Sequence, residues 1–301
     1  MLRERNSCNM SWNLQSAFLL FQKSLLPVIR VLVLACIGLA IALYFGQSNM
    51  VFMPRKDVLE TPKSIGLKFE DIQIRTKDNV NLSAWFVPAK DKDPIGKGVI
   101  LFCHGNGGNI GNRVSYLPIF KDLGLATFLF DYRGYGKSEG QPSEEGTYKD
   151  VEAAWQYLTQ ERKIPPQKIM IYGESLGGAI ASYIAQTTTQ QNPQNSAAGL
   201  ILTSTFTSIS DRAAEIYPFL PIRLLSRFSY NSIDRLPNIK IPVLIIHSTE
   251  DEIIPFHHGE KNFQVANSPK KLVKLRGSHN EGFLDSLKTY RNGINEFIQK
   301  I

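Results

Sequence analysis

The sequence predicts an α/β domain, with about eight mostly parallel strands and helices on both faces. Three observations carry this. After residue 50, short apolar runs recur along the chain; helical patterns separate them; and the spacing is regular without an internal repeat. A continuous apolar run suits a strand covered on both faces, and strands that alternate with helices close into a parallel sheet. Composition agrees, since 43% hydrophobic and 20% charged residues among 301 exclude a disordered or collagen-like chain. A chain of this length buries a full core without staples. Cys8, Cys36 and Cys103 cannot build a disulfide framework, and no CxxC pair offers a zinc site.

In chain order, residues 67–76 and 80–87 alternate like a hairpin turning at Lys77-Asp78-Asn79. Further strands are expected at Gly98–Cys103, Ala126–Phe130, Lys168–Tyr172, Leu200–Ser204, Val243–His247 and Leu272–Leu275. Helices are expected at Tyr116–Leu123, Glu144–Gln160, Leu176–Gln186, His257–Ala266 and Glu281–Gln299. Residues 206–242 read as a short cap carrying Pro218, Pro221 and the apolar Tyr217, Phe219, Leu220, Leu224, Leu225 and Phe228. Those groups either wall an acyl-chain site or pack the cap onto the body.

The N-terminus has a different character. Val31–Phe45 carries no charge over 15 residues. A helix needs about 20 residues to cross ~30 Å of hydrocarbon. With Arg30 snorkelling to the interface, Pro27–Phe45 is a short but workable span. Upstream, Phe18–Phe21 and Leu25–Leu26 are interrupted by Gln22 and Lys23, as in an interfacial amphipathic stretch. A cleaved signal peptide would use Ala40-Ile41-Ala42, but its lead would be long. A lipoprotein anchor would use Cys36, but Arg30 intrudes and the apolar run continues nine residues further. The expected organisation is therefore a cytosolic or interfacial segment over 1–26, a transmembrane anchor over 27–46 and a globular domain over 47–301.

The net charge of +7 follows the same division. Arg3, Arg5, Lys23, Arg30, Arg55 and Lys56 face Glu4 alone in the first 56 residues, and the rest carries only +2. That is membrane topology and not a nucleic-acid face. The positive-inside rule puts the N-terminus in the cytosol and the globular domain outside it, although Arg55 and Lys56 beyond the span count against this.

In such sheets, ligands sit beyond the carboxyl ends of the strands. The strand ending at Tyr172 runs into Gly173-Glu174-Ser175-Leu176-Gly177, a G-x-S-x-G motif that opens a helix rich in small residues. This is the setting in which a serine is held on a strained turn with its hydroxyl exposed. The alternative is a glycine-rich turn with an incidental serine. A serine nucleophile needs a base and an orienting acid. His279, in the loop after the last strand, is best placed as base. His247 ends a strand, where an inward ring bonded to backbone is expected, whereas His257 and His258 open a helix and are expected to face solvent. For the acid, Asp251 leads Glu250 and Glu252 in the loop after Val243–His247. Asp131 is a rival, but the segment from Asp131 to Ser138 reads as a turn braced by aspartate and Arg133. An oxyanion hole would use the N–H of Leu176 and one from His104-Gly105-Asn106-Gly107-Gly108-Asn109, with Asn106 as second donor. That loop lacks phosphate-motif spacing.

Taken together, HGNGGN, DYRGYGKSEG, GESLGG, STEDEIIP and GSHN resemble the α/β-hydrolase superfamily, in order and over nearly all of residues 50–301. The order Ser175, Asp251, His279 is that of this fold. The nearest subgroup resembles membrane-anchored α/β-hydrolase-domain proteins similar to serine aminopeptidase-like hydrolases and protein depalmitoylases, a likeness to which Val51-Phe52-Met53-Pro54-Arg55 adds. Ser248 and Ser278 stand where glycine is frequent in the family. The resemblance implies an α/β-hydrolase fold and a membrane-bound serine hydrolase. Ser175 would be nucleophile, His279 general base and Asp251 its orienting acid, without metal or organic cofactor. The expected substrate is an acyl ester or thioester, from a lipid or an acylated protein, with no nucleic-acid partner. Aminopeptidase-type amide cleavage and a non-catalytic scaffold are the alternatives.

Overall fold

The computed structural model describes residues 14–301. Cys8 and the first half of the 1–26 segment lie outside the described residues. The chain divides into two compact units, up to Gln47 and from Ser48 to Ile301.

The first unit is formed by helix α1 (Leu14–Val51), whose last residues enter the second. The stretch expected at the interface and the expected span are one helix, continuous through Pro27. From Phe21 to Val51 it is long and apolar enough to cross a membrane. Its 38 residues rise about 57 Å in all, well beyond a ~30 Å hydrocarbon layer.

The second unit begins with β1 (Met53–Pro54), β2 (Glu70–Arg75), β3 (Asn81–Val87), β4 (Val99–Cys103) and β5 (Gly107–Gly108). Then come α2 (Leu117–Asp122), β6 (Ala126–Phe130), α3 (Glu144–Gln156), β7 (Ile169–Glu174), α4 (Leu176–Gln191) and β8 (Gly199–Thr203). The cap holds α5 (Ile209–Ile216) and α6 (Ile222–Leu225). Next are β9 (Val243–Ser248), α7 (His257–Val265), β10 (Lys270–Leu275), α8 (Gly282–Asp285) and α9 (Leu287–Ile298). Eight strands form one sheet in the order β10-β9-β8-β7-β4-β6-β3-β2. β2 and β3 are antiparallel to their neighbours, and every pairing from β6 to β10 is parallel.

Burial explains the apolar runs. Every residue of β4, β6, β8 and β9 is buried. Alternate side chains feed two cores: Val99, Leu101 and Cys103 enter one, and Ile100 and Phe102 enter the other. The hairpin turns as expected, with Asn79 at φ 66°, a region asparagine tolerates. Other boundaries differ. A 3-10 turn, Ile110–Tyr116, precedes α2, because Asn109 and Asn112 cap it reciprocally. The last expected helix breaks at Ser286 into α8 and α9. The 131–138 turn is braced by Asp131 and Arg133, each through partners outside the turn. Asp131 Oδ1 accepts the Ile110 N–H at 2.9 Å, while Arg133 donates to Asp78 and Asp150.

Candidate active site

Strand β7 delivers Ser175 to the start of α4 through a turn that only small neighbours permit. A Cβ on Gly173 would lie 2.5 Å from Gly178 Cα, and one on Gly177 would lie 2.1 Å from the Cys103 carbonyl oxygen. The elbow is thus wedged between the end of β4 and its own helix. Ser175 has φ 54° and ψ −120°, a conformation L-residues rarely adopt. Its N–H donates to Thr203 O at 2.9 Å, which ties the strained residue to β8.

Three distant segments meet here. Ser175 Oγ lies 3.1 Å from His279 Nε2, and His279 Nδ1 lies 2.8 Å from Asp251 Oδ2. A nitrogen facing a carboxylate must donate, so Nδ1 carries the proton and Nε2 accepts from the serine hydroxyl. The Asp251 Oδ1 atom accepts the N–H groups of Ile253 (3.0 Å) and Ile254 (2.7 Å). Burial alone would raise the Asp251 pKa. Hydrogen bonds from His247, His279 and the Ile254 amide, together with the His279 charge, hold it well below the ordinary carboxylate range. The flanking carboxylates are otherwise engaged. Glu250 accepts Gly277 N–H, and Glu252 accepts His279 N–H, which pins the histidine loop. Ser248, at one departure from the family pattern, donates to Gly277 O and helps hold the same loop.

The loop after β4 approaches the serine from the other side. A Cβ on Gly105 would lie 3.4 Å from Ser175 Cβ. His104 is fully buried, and its Nδ1 donates to Gly105 O at 2.7 Å. A trans peptide points its carbonyl and the next N–H in opposite directions, so the Asn106 N–H faces away from buried His104. The Asn106 carbonyl is itself fixed by Met53 N–H (3.1 Å) and Tyr135 O–H (2.8 Å). Leu176 is the first residue of α4, where amides lack intrahelical partners.

Two pairings under this loop were not read from the sequence. Arg113 donates to Glu174 from Nε (3.0 Å) and Nη2 (3.3 Å), and to Gly107 O from Nη1. The ion pair is largely buried and braces the loop against the elbow. A glutamate inside an apolar strand end was the available signal. The second is the pair of His104 and Asp131. His104 Nε2 lies 3.5 Å from Asp131 Oδ1, both side chains are fully buried, and neither Nε2 nor Asp131 Oδ2 has a hydrogen-bond partner among the described residues. Burial pushes the Asp131 pKa up to about 7 and the His104 pKa down to about 3. Burial therefore favours the neutral imidazole, protonated at Nδ1, and the protonated form of the Asp131 carboxyl.

His247 is placed as expected, its Nε2 donating to Ile254 O at 2.8 Å. The expectation for His258 fails: it is fully buried, while its neighbour His257 is partly exposed. His258 Nδ1 accepts the Thr207 N–H, so its Nε2 donates to Glu215 at 3.0 Å, and His257 donates to the same carboxylate at 2.8 Å. These three side chains are the group among the described residues that offers converging metal donors. The Thr207 bond fixes the proton on the nitrogen a metal would need, so the cluster fits a link between α5 and α7 better than a metal site.

Comparison with known proteins agrees with the fold. The profile of the serine aminopeptidase S33 family matches residues 95–232. The Arabidopsis thaliana α/β-hydrolase domain-containing protein WAV2 is 33% identical, covering 87% of this chain and 90% of its own. Protein bem46 of Schizosaccharomyces pombe is 35% identical, covering 76% and 78%. Among solved structures, a Pyrococcus furiosus esterase superposes with TM-score 0.63 at 20% identity, over 83% of this chain and 98% of that one. With WAV2 similar along nearly the whole of both chains and the sheet order and serine elbow described above, this chain belongs to the α/β-hydrolase superfamily.

Proposed function

We propose that the protein is a membrane-anchored serine hydrolase that cleaves an acyl ester or thioester. The observation that carries this is the hydrogen-bonded line Asp251–His279–Ser175, with the serine on a strained elbow. Ser175 Oγ attacks the substrate carbonyl carbon as His279 Nε2 takes its proton. Ionised Asp251 holds the imidazole and stabilises its charge. The N–H groups of Leu176 and Asn106 receive the developing oxyanion. Collapse breaks the bond to the leaving oxygen or sulfur, which departs with the proton from His279. Water, deprotonated by His279, then attacks the acyl-serine, and Ser175 recovers its proton as the acid is released. The chemistry needs no cofactor.

Helix α1 is the anchor in this reading, with the N-terminus cytosolic and the catalytic unit on the opposite side. The S33 match keeps aminopeptidase-type cleavage as a second reading. Against it, Glu174 is committed to Arg113 and Glu252 to the His279 amide, so neither is free for a substrate amino group. Turnover of aminoacyl-arylamides without turnover of acyl esters would favour it.

The test is covalent. The full chain in detergent is treated with a fluorophosphonate and the adduct is mapped by mass spectrometry. Labelling at Ser175, absent in Ser175→Ala, is expected. Folded wild-type protein that takes no label at Ser175 would overturn the proposal.

A further inference from the structure

The cap is unusual in what it leaves uncovered. Helices α5 and α6 contain no buried residue. Phe219 is 97% exposed and Leu224 84% exposed, with Ile216 and Tyr217 also open. Phe228 and Ile209 pack the cap onto the body, whereas Ile216, Tyr217, Phe219 and Leu224 do not. Leu225 and Phe228 lie inward of this edge, and Phe228 is buried. Four large apolar side chains open to water within residues 216–224 exceed the single scattered ones of an ordinary surface and suit an interaction surface.

The cap is joined to the point where α1 ends. Phe52, the first residue after α1, packs edge-on against Phe228 with centroids 5.4 Å apart, and against Tyr230 at 6.2 Å. Leu224 is four residues before Phe228, so at most about 14 Å of extended chain separates them. Exposed basic residues accompany the apolar ones: Arg227 and the Asp211-paired Arg223 in the cap, Arg55 and Lys56 just beyond Phe52. Aromatic and aliphatic tips mixed with arginine and lysine suit the layer between water and hydrocarbon.

We infer that the edge of the cap around Phe219 and Leu224 docks into the interfacial layer of the bilayer that holds α1, an inference that rests on reading α1 as a membrane anchor. The occupant of this surface is lipid. The loop beside Ser175 is bonded to the end of α1 through Asn106 Nδ2 and Val51 O, so with the cap docked the substrate class is an acyl group presented from the bilayer.

The test uses the full chain reconstituted into phosphatidylcholine–phosphatidylserine vesicles. Flotation with the vesicles in alkaline carbonate reports on the anchor. Phe219→Trp, compared with wild type to remove the native tryptophans, reports on the cap. The added emission is expected to be blue-shifted and to be lost when the phosphatidylcholine carries bromine on its acyl chains. Emission that stays at the position for water overturns the inference while flotation upholds the anchor. A blue shift without bromine quenching also overturns it, because a second copy or another protein then covers the edge. Chain that fails to float overturns both readings. As a further check, Phe219→Asp with Leu224→Asp should keep fluorophosphonate labelling of Ser175 and short soluble-ester turnover. It should lose hydrolysis of a long-chain ester embedded in vesicles, and unchanged hydrolysis of that ester counts against the docking.

Discussion

Replacing Ser175 by glycine and by alanine separates backbone strain from chemistry. Both variants lose the hydroxyl, so both should lose turnover by about 10⁴–10⁶-fold. They differ in the β-carbon, which alanine keeps at φ 54° and ψ −120°. Residues in such regions cost roughly 1–3 kcal/mol when they carry a side chain. Against this, glycine gives up about 0.5–1 kcal/mol more chain entropy on folding. It also forgoes the burial of one methyl group, worth at most about 0.8 kcal/mol. These values leave glycine ahead by about 0.5 kcal/mol, or about 1–2 °C in midpoint for a domain of this size. The assay is thermal unfolding of the full-length variants side by side in one detergent, with fluorophosphonate labelling as the control for chemistry. A Ser175→Ala protein that melts at or above Ser175→Gly would refute the claim that the elbow is strained.

Other perturbations test the supports of the site. Gly177→Ala puts a β-carbon 2.1 Å from the Cys103 carbonyl oxygen and 2.5 Å from that of His104, both backbone atoms. A loss of at least ~1–3 kcal/mol in denaturant unfolding is expected, since neither neighbour can rotate away. Arg113→Met leaves Glu174 buried without its partner and should cost about 3–5 kcal/mol, most of which Arg113→Met with Glu174→Leu should restore. Failure of the double variant to recover stability would count against the brace. Asp131 and His104 make opposite contributions to acid stability. The folded pKa of Asp131 is raised from 3.8 to about 7, so its contribution is present below pH 4 and is lost as pH rises towards 7. The folded pKa of His104 is lowered from 6.5 to about 3, so its contribution is present above pH 6.5 and is lost as pH falls. Between pH 4 and 6.5 the two slopes oppose. Asp131→Asn should expose the histidine slope, with stability rising by up to about 1.4 kcal/mol per pH unit over that window. An unfolding free energy that stays flat with pH in Asp131→Asn would rule this out.

The sheet was legible because its strands are covered on both faces, and continuous runs such as Val99–Cys103 have few other uses. Ser175, Asp251 and His279 were legible because each stands at a strand end, where a parallel sheet gathers its loops. Their hydrogen bonds in the structure follow from that placement. Features set by contact rather than by period were not legible. His258 looked like a solvent-facing start of a helix. It is buried because the loop after β8 brings Thr207 onto its ring, a contact 51 residues away in the chain. The turn over Ile110–Tyr116 is fixed by two asparagine side chains and has no apolar rhythm to read. Pro27 suggested a boundary, yet α1 passes through it. The Arg113–Glu174 pair left only the trace of a charge in an apolar strand.

The short pairing of β1 with β5 sets a limit on where this chain can be cut. Met53 and Pro54 lie in parallel register with Gly107 and Gly108. Met53 N–H holds the Asn106 carbonyl, Arg55 N–H holds that of Gly108, and Asn106 Nδ2 reaches Val51 O. The residues that leave the long helix are therefore also the splint of the loop beside the serine. A cut upstream of Val51 would part the long helix from the second unit with that splint in place. A cut beyond Arg55 would shed the splint together with the helix, and the freed domain would keep a slackened loop beside Ser175.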